Sequence, residues 1–155
     1  MKIGVTGTRV GMTLKQYVTF RRVLESLWDQ NEDELHHGDC IGADAQAYAM
    51  AVGNFNIVCH PPRESRWRAF CGYGIIHPQK EYTERNHDIV DACQVLIAAL
   101  PDAEEAEQWM PPKGLSGTWA TIRYAKGKIP IFMVSPTGAY RVEWPDGSMT
   151  RGEDY

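Results

Sequence analysis

Three short segments of this chain combine glycine with hydroxyl or arginine side chains as anion chemistry requires: Gly7-Thr8-Arg9, Gly38-Asp39-Cys40-Ile41-Gly42-Ala43-Asp44, and Gly114-Leu115-Ser116-Gly117-Thr118. Glycine lets backbone N–H groups come close to an anion. A helix that starts at such a turn adds unpaired N–H groups and the positive end of its dipole. Ser116 and Thr118 can bring hydroxyls to the same oxygens, and Arg9 carries the planar fork that grips a phosphate through two hydrogen bonds. Each segment alone also suits a tight strand-to-helix turn with nothing bound. Three together point to a shared rim that holds phosphate.

A second group of residues could act on what such a rim holds. Cleavage of a glycosidic bond needs an acid, a base or a nucleophile at the anomeric carbon, and the carboxylates near the turns are Asp39, Asp44 and Glu84. Asp44 can equally cap its helix or pair with Arg9, Asp39 can satisfy loop amides, and Glu84 reads as a solvated helix-face charge. Arg85 suits contact with a phosphate or a surface acid, and Asn86 suits a loop or a ligand hydroxyl. Residues 63–80 bring Arg66, Trp67, Arg68, Phe70 and Tyr73, which could fold over a bound base or form a contact between copies of the chain.

Metal chemistry finds little support. His36 and His37 are neighbours on an expected strand and point to opposite faces, and the four cysteines lack the paired spacing of a zinc or redox site. No metal and no cofactor is expected.

The elements that must position these residues follow from hydrophobic spacing. Strands are expected at Ile3–Val5, Glu34–His37, Asn56–Cys59, Val95–Leu100 and Ile129–Val134. Helices are expected from about Thr13 through Trp28, over Gly42–Val52, over Tyr82–Cys93, and from Gly114-Leu115-Ser116-Gly117-Thr118 to about Lys126. Pro61-Pro62 ends the third strand, and residues 63–80 and 101–113 are long excursions. Tyr140–Trp144 and Ser148–Thr150 around Asp146-Gly147 read as a terminal hairpin. Strands alternating with helices give an α/β, Rossmann-like three-layer sandwich: a mainly parallel sheet of about five strands plus a C-terminal β-hairpin. One domain is expected over 1–155, with its core in 1–135 and the hairpin extension in 136–155.

A length of 155 residues, 43% of them hydrophobic, suffices for one sizeable core. The formal charge of −4 gives no general attraction to a polyanion, so nucleic acid is disfavoured as a partner. No apolar run reaches membrane-spanning length, and Met1 leads almost directly into the first strand without room for a signal peptide. The expected compartment is the cytoplasm.

The order of the motifs resembles the SLOG superfamily, which groups the DNA-processing protein A/Smf proteins, the Lonely-guy phosphoribohydrolases and small uncharacterised nucleotide-binding proteins. The matching segments are Gly7-Thr8-Arg9, His37 through Asp44, Glu84-Arg85-Asn86 and Gly114 through Thr118, spread over most of residues 3–134. The small uncharacterised members are closest in layout. In Lonely-guy enzymes an arginine on the helix before the fourth strand and a glutamate in Pro-Gly-Gly-x-Gly-Thr-x-x-Glu cleave the N-glycosidic bond of a nucleoside monophosphate. Arg85 matches that arginine by position, but Thr121 stands where the glutamate would be and Leu115 where the second glycine would be.

The resemblance therefore implies a protein that binds a phosphate-bearing nucleotide, or a signal derived from one, as a sensor or sequestering protein. The alternative it implies is an N-glycosidase or phosphoribohydrolase using Arg85 and Asp44. The implied binding residues are Gly7, Thr8, Arg9, Gly38, Asp39, Gly42, Ala43, Asp44, Arg85, Asn86, Gly114, Ser116, Gly117 and Thr118. Homo-oligomerisation is expected by analogy with other small Rossmann-like domains.

Overall fold

The computed structural model of the chain describes residues 1–29, 32–102 and 116–152. Strand β1 (Lys2–Gly7) leads to helix α1 (Leu14–Ser26). Thr13 opens that helix with a reciprocal cap: its Oγ1 accepts from the Gln16 N–H while the Gln16 side chain accepts from the Thr13 N–H. Then follow β2 (Glu34–His37), α2 (Ala43–Ala51), β3 (Asn56–Cys59), a single 3₁₀ turn (Ser65–Trp67) and β4 (Ile75–Ile76). The chain continues through α3 (Tyr82–Ala92), β5 (Val95–Ala99), α4 (Gly117–Ala125), β6 (Ile131–Val134), β7 (Tyr140–Glu143) and β8 (Met149–Arg151).

These strands form one sheet in the order β4-β3-β2-β1-β5-β6-β7-β8. It is parallel from β4 to β6 and antiparallel across β6–β7 and β7–β8. The chain builds outward from β1 to β4, then returns to β1's other side as β5. That reversal is where an open parallel sheet leaves a crevice at the carboxyl ends of its strands.

Alternation along each strand divides the core in two. Ile3, Val5, Ile97 and Ala99 meet Phe20, Val23 and Leu24 of α1 and Ala43, Ala47 and Ala51 of α2. Leu96, Ala98, Ile131 and Met133 meet Val90 of α3 and Trp119, Ile122 and Ala125 of α4 on the other face. Each fully buried Ile or Leu contributes about 1.5–3 kcal/mol, so the two faces together hold the layers. The small side chains of α2, four residues apart, let that helix lie close to the sheet. Gly7 completes the approach, because a Cβ there would stand 2.6 Å from the Ala43 Cβ and 2.8 Å from that of Ala99.

The architecture matches the expected α/β class, and the sheet is wider than expected. The terminal hairpin extends the sheet directly through β7, and Ile75–Ile76 adds an edge strand inside the 63–80 excursion. Helix α1 ends at Ser26, before Trp28, whose ring instead lies 6.4 Å from that of Phe55. Strand β6 begins at Ile131 rather than Ile129. Most of the 101–113 excursion, and Gly114, lie outside the described residues. Among the described residues no helix is long and apolar enough to cross a membrane.

Candidate functional site

A cleft of about 520 Å³ opens at the β1/β5 reversal. Thr6 through Val10 line it from the end of β1, Gly38, Cys40 and Asp44 from the turn into α2, and Ser116 through Thr118 with Thr121 from the start of α4. Helix α3 contributes Tyr82, Thr83, Arg85, Asn86, His87 and Ile89. The turns singled out in the sequence thus meet at one place. Gly7, Thr8, Arg9, Gly38, Asp44, Arg85, Asn86, Ser116, Gly117 and Thr118 all stand on the wall, whereas Asp39, Gly42 and Ala43 lie behind it.

The backbone donors at this rim can be accounted for one by one. In the first turn, the Thr8 N–H donates to the Ala99 carbonyl at 3.1 Å and the Val10 N–H to Thr8 Oγ1 at 3.2 Å. The second turn is occupied internally. Gly38 and Cys40 donate to Asp44 Oδ2 at 3.1 and 3.3 Å, Asp39 donates to His37 Nδ1 at 3.0 Å, and Ile41 donates to the Trp67 carbonyl at 2.9 Å. Ala43 donates to the Thr8 carbonyl at 2.9 Å, which ties the first two turns together. At α4, Ser116 Oγ caps the Trp119 N–H at 3.2 Å. Among the described residues, the N–H groups of Arg9, Gly117 and Thr118 have no protein acceptor. Of the three glycine turns, the second spends its amides within the fold, while Arg9 in the first and Gly117 and Thr118 in the third keep theirs without an acceptor among the described residues.

Glycine in that second turn has packing causes. A Cβ on Gly38 would stand 2.1 Å from Arg85 Nη1 and 2.9 Å from Asp44 Oδ2. Gly42 adopts φ 89° with its Cα pressed on the Thr8–Arg9 backbone, where a Cβ would meet the Thr8 carbonyl oxygen at 2.4 Å. A Cβ on Gly117 would meet nothing within 4 Å among the described residues.

Arg85, on the cleft wall, is buried all the same. Its Nη1 donates to the carbonyls of Gly38 and, at 3.3 Å, His60, and its Nε donates to Asn86 Oδ1 at 2.8 Å. Asp44 shares this buried space. Burial pushes its carboxyl up to about 6, against the Arg85 charge and the two amides, which pull the other way. The Thr121 hydroxyl donates to the Gly117 carbonyl one turn back at 2.7 Å, so it is engaged within its own helix.

Arg9 stands at the mouth. Its guanidinium carbon lies 5.2 Å from the Trp67 ring centroid and 5.0 Å from that of Tyr82, contacts that steady an exposed arginine without consuming its N–H edges. No carboxylate pairs with it among the described residues. Trp67 thus serves Arg9 rather than lining the cleft, while Phe70 and Tyr73, 62% and 59% exposed, also lie off the cleft wall. The base of the excursion is pinned by Asp39, which accepts from Arg68 Nε and from the Cys71 N–H, both at 2.8 Å.

His37, Asp39 and Cys59 bring one ligand-type atom each within 4.8 Å of one another. Both Asp39 oxygens and His37 Nδ1 are already hydrogen-bonded to protein donors, so the trio works as a locked turn. Burial holds His37 down to about 4 and pushes the Cys59 thiol up to about 12. His36 faces away from His37, as alternation requires, and meets His60 with 2.8 Å between Nδ1 and Nε2.

Sequence reading missed Tyr82 and His87 on the wall. The signal was available: Tyr82, Arg85, Asn86 and Ile89 fall at i, i+3, i+4 and i+7, one face of α3. His87 sits beside them, stacked on Tyr124 with 3.7 Å between ring centroids.

No protein-family model and no curated protein matches the chain. Among solved structures, the fold is similar to the X-ray structure of TM1055, a Northeast Structural Genomics Consortium target, with a TM-score of 0.53 and 12% identity. The likeness covers 84% of this chain and 71% of that one, and it supports the Rossmann-like α/β fold alone.

Proposed function

We propose that the cleft binds a phosphate-bearing nucleotide or a small molecule derived from one, and that the protein acts as a sensor or sequestering protein of the SLOG type. The observation that carries this reading is the convergence on one cleft of the N–H groups of Gly117 and Thr118, at the start of α4, with the Arg9 guanidinium; among the described residues the two amides have no acceptor and the guanidinium has no acid partner. Two amides at a helix N-terminus and a steadied arginine are a suitable receptor for phosphate oxygens. A volume of about 520 Å³ also falls within the range of small-molecule sites.

Binding without hydrolysis is favoured by position 121, where the resemblance calls for a carboxylate and Thr121 spends its hydroxyl on its own helix. Calorimetric titration with AMP, ADP and ADP-ribose tests the proposal. Saturable binding is expected, weakened about 10- to 100-fold by Arg9→Ala through loss of a charge-assisted contact. Absence of saturable binding by any of the three sinks the reading.

One observation favours the hydrolytic alternative: Asp44, on the cleft wall beside Arg85, has its carboxyl held near 6 and so can carry a proton close to neutrality. Sustained release of free base from nucleoside monophosphates, abolished by Asp44→Asn, would establish it. Association of copies is proposed through exposed Phe70, Tyr73, Ile75 and Ile76 beside the β4 edge, with sedimentation as the test. The four free thiols fit a reducing compartment, the cytoplasm.

A further inference from the structure

We infer that Tyr82 is a ligand-positioning residue whose hydroxyl hydrogen-bonds the sugar of the nucleotide held in the cleft. The inference rests on the nucleotide reading and adds to it the residue that addresses the uncharged part of the ligand.

Tyr82 is the first residue of α3, and its ring is fixed by charge on two sides of the sequence. The guanidinium carbons of Arg9 and Arg85 lie 5.0 and 5.3 Å from its centroid, and Arg85 is itself anchored on the Gly38 and His60 carbonyls. A ring so placed has little freedom to carry its hydroxyl elsewhere. Yet the oxygen is buried and has no hydrogen-bond partner among the described residues. Buried hydroxyls in folded proteins are overwhelmingly paired, and a fixed one left unpaired at a cleft wall is a group held for something else.

The neighbouring hydroxyls show the contrast. Thr8 Oγ1 accepts from the Val10 N–H, Ser116 Oγ from the Trp119 N–H, and Thr121 donates to the Gly117 carbonyl, so each holds a local turn. Burial raises the Tyr82 phenol above its ordinary range, so it keeps its proton and can both donate and accept.

The chemistry of the partner follows from where the other donors sit. The amides without an acceptor among the described residues belong to α4, on a different element from Tyr82, and Arg9 offers the full charge at the mouth. Near Tyr82 the wall carries the Cys40 thiol, itself pushed up by burial and so uncharged, while Arg85 already serves carbonyls. A neutral phenol in that setting matches an uncharged hydroxyl, and in a nucleotide those belong to the sugar.

Tyr82→Phe removes the oxygen and keeps the ring between the arginines. Two measurements read it: the melting temperature of the unliganded protein, and calorimetric affinity for AMP and for 2′,3′-dideoxy-AMP. The unliganded variant should melt at the wild-type temperature or about 1–4 °C higher, because an unpaired buried hydroxyl stabilises nothing. AMP should bind about 3- to 12-fold more weakly, while dideoxy-AMP should bind both proteins equally. A lower melting temperature would make the hydroxyl structural, and unchanged AMP affinity or equal weakening for both ligands would remove the sugar contact. Each of those outcomes overturns the Tyr82 assignment and leaves the nucleotide reading standing. Failure of the wild-type protein to bind AMP would overturn both.

Discussion

Replacing Gly38 by alanine should cost far more than the change of one methyl suggests. The backbone there needs no left-handed conformation, so the whole penalty is steric. The new Cβ would stand 2.1 Å from Arg85 Nη1, 2.6 Å from its Cζ and 2.9 Å from Asp44 Oδ2. The arginine end would ordinarily swing aside, but here it is buried and bonded to the carbonyls of Gly38 and His60. Its retreat weakens two hydrogen bonds from a charged donor, each contributing about 1.5–3 kcal/mol. Loss of unfolded-chain freedom on Gly→Ala returns about 0.4–1 kcal/mol. The net expectation is a destabilisation of about 2–5 kcal/mol, a large share of the stability of a domain this size. Urea unfolding followed by tryptophan fluorescence gives the value, and the same substitution in an Arg85→Met background gives its cause. There the alanine should cost at least about 2 kcal/mol less, since the closest colliding group is gone and only the Asp44 contact remains. A loss below about 1 kcal/mol in the wild-type background, or an equal loss in both, would refute the account of Gly38 and Arg85 as one locked unit.

Gly117→Ala should behave in the opposite way, raising stability by up to about 1 kcal/mol, since the added methyl meets nothing among the described residues and the site is helical, while weakening AMP binding by crowding the Gly117 and Thr118 amides; a clear drop in melting temperature would count against it. Asp44→Asn should make stability less sensitive to pH. The folded carboxyl is raised from 3.8 to about 6, so its contribution is fully present below pH 4 and is lost as pH rises through about 6, by about 3 kcal/mol in all. Urea midpoints of wild type and variant from pH 4 to 8 should therefore converge or cross in the variant's favour, and parallel curves would exclude the raised value. Cys59, Cys71 and Cys93, each pushed to about 12, should react with iodoacetamide at pH 8 far more slowly than an ordinary thiol, as mass spectrometry over time would show.

Much of the scaffold was legible because its signals are local. The apolar run Val95–Ala99 reads as a strand buried on both faces, alanines four residues apart read as a helix lying close to a sheet, and Asp146-Gly147 marks a hairpin turn. Strand β4 was not legible: Ile75 and Ile76 are two residues, too few for alternation to show. They are strand because Gly74, at φ 106° and close against Ile57, sets them in register with Val58 and Cys59 of the neighbouring β3. The turns at the cleft were found through their glycines, but the reason for each glycine was not. Gly7, Gly38 and Gly42 answer to packing, and Gly117 alone among these four has no close neighbour among the described residues.

The amino-acid order by itself settled which segments become strands and helices, β4 excepted, and which turns carry glycine, because hydrophobic period and backbone freedom are properties of neighbouring residues. Only the tertiary structure decided which donors remain at the cleft. Asp44 takes up the amides of Gly38 and Cys40, Arg85 is drawn onto carbonyls far away in the chain, and Tyr82 arrives with a hydroxyl that has no partner among the described residues. Those outcomes depend on groups meeting across the fold, since a hydrogen bond is allotted by distance in space and not by position in the chain.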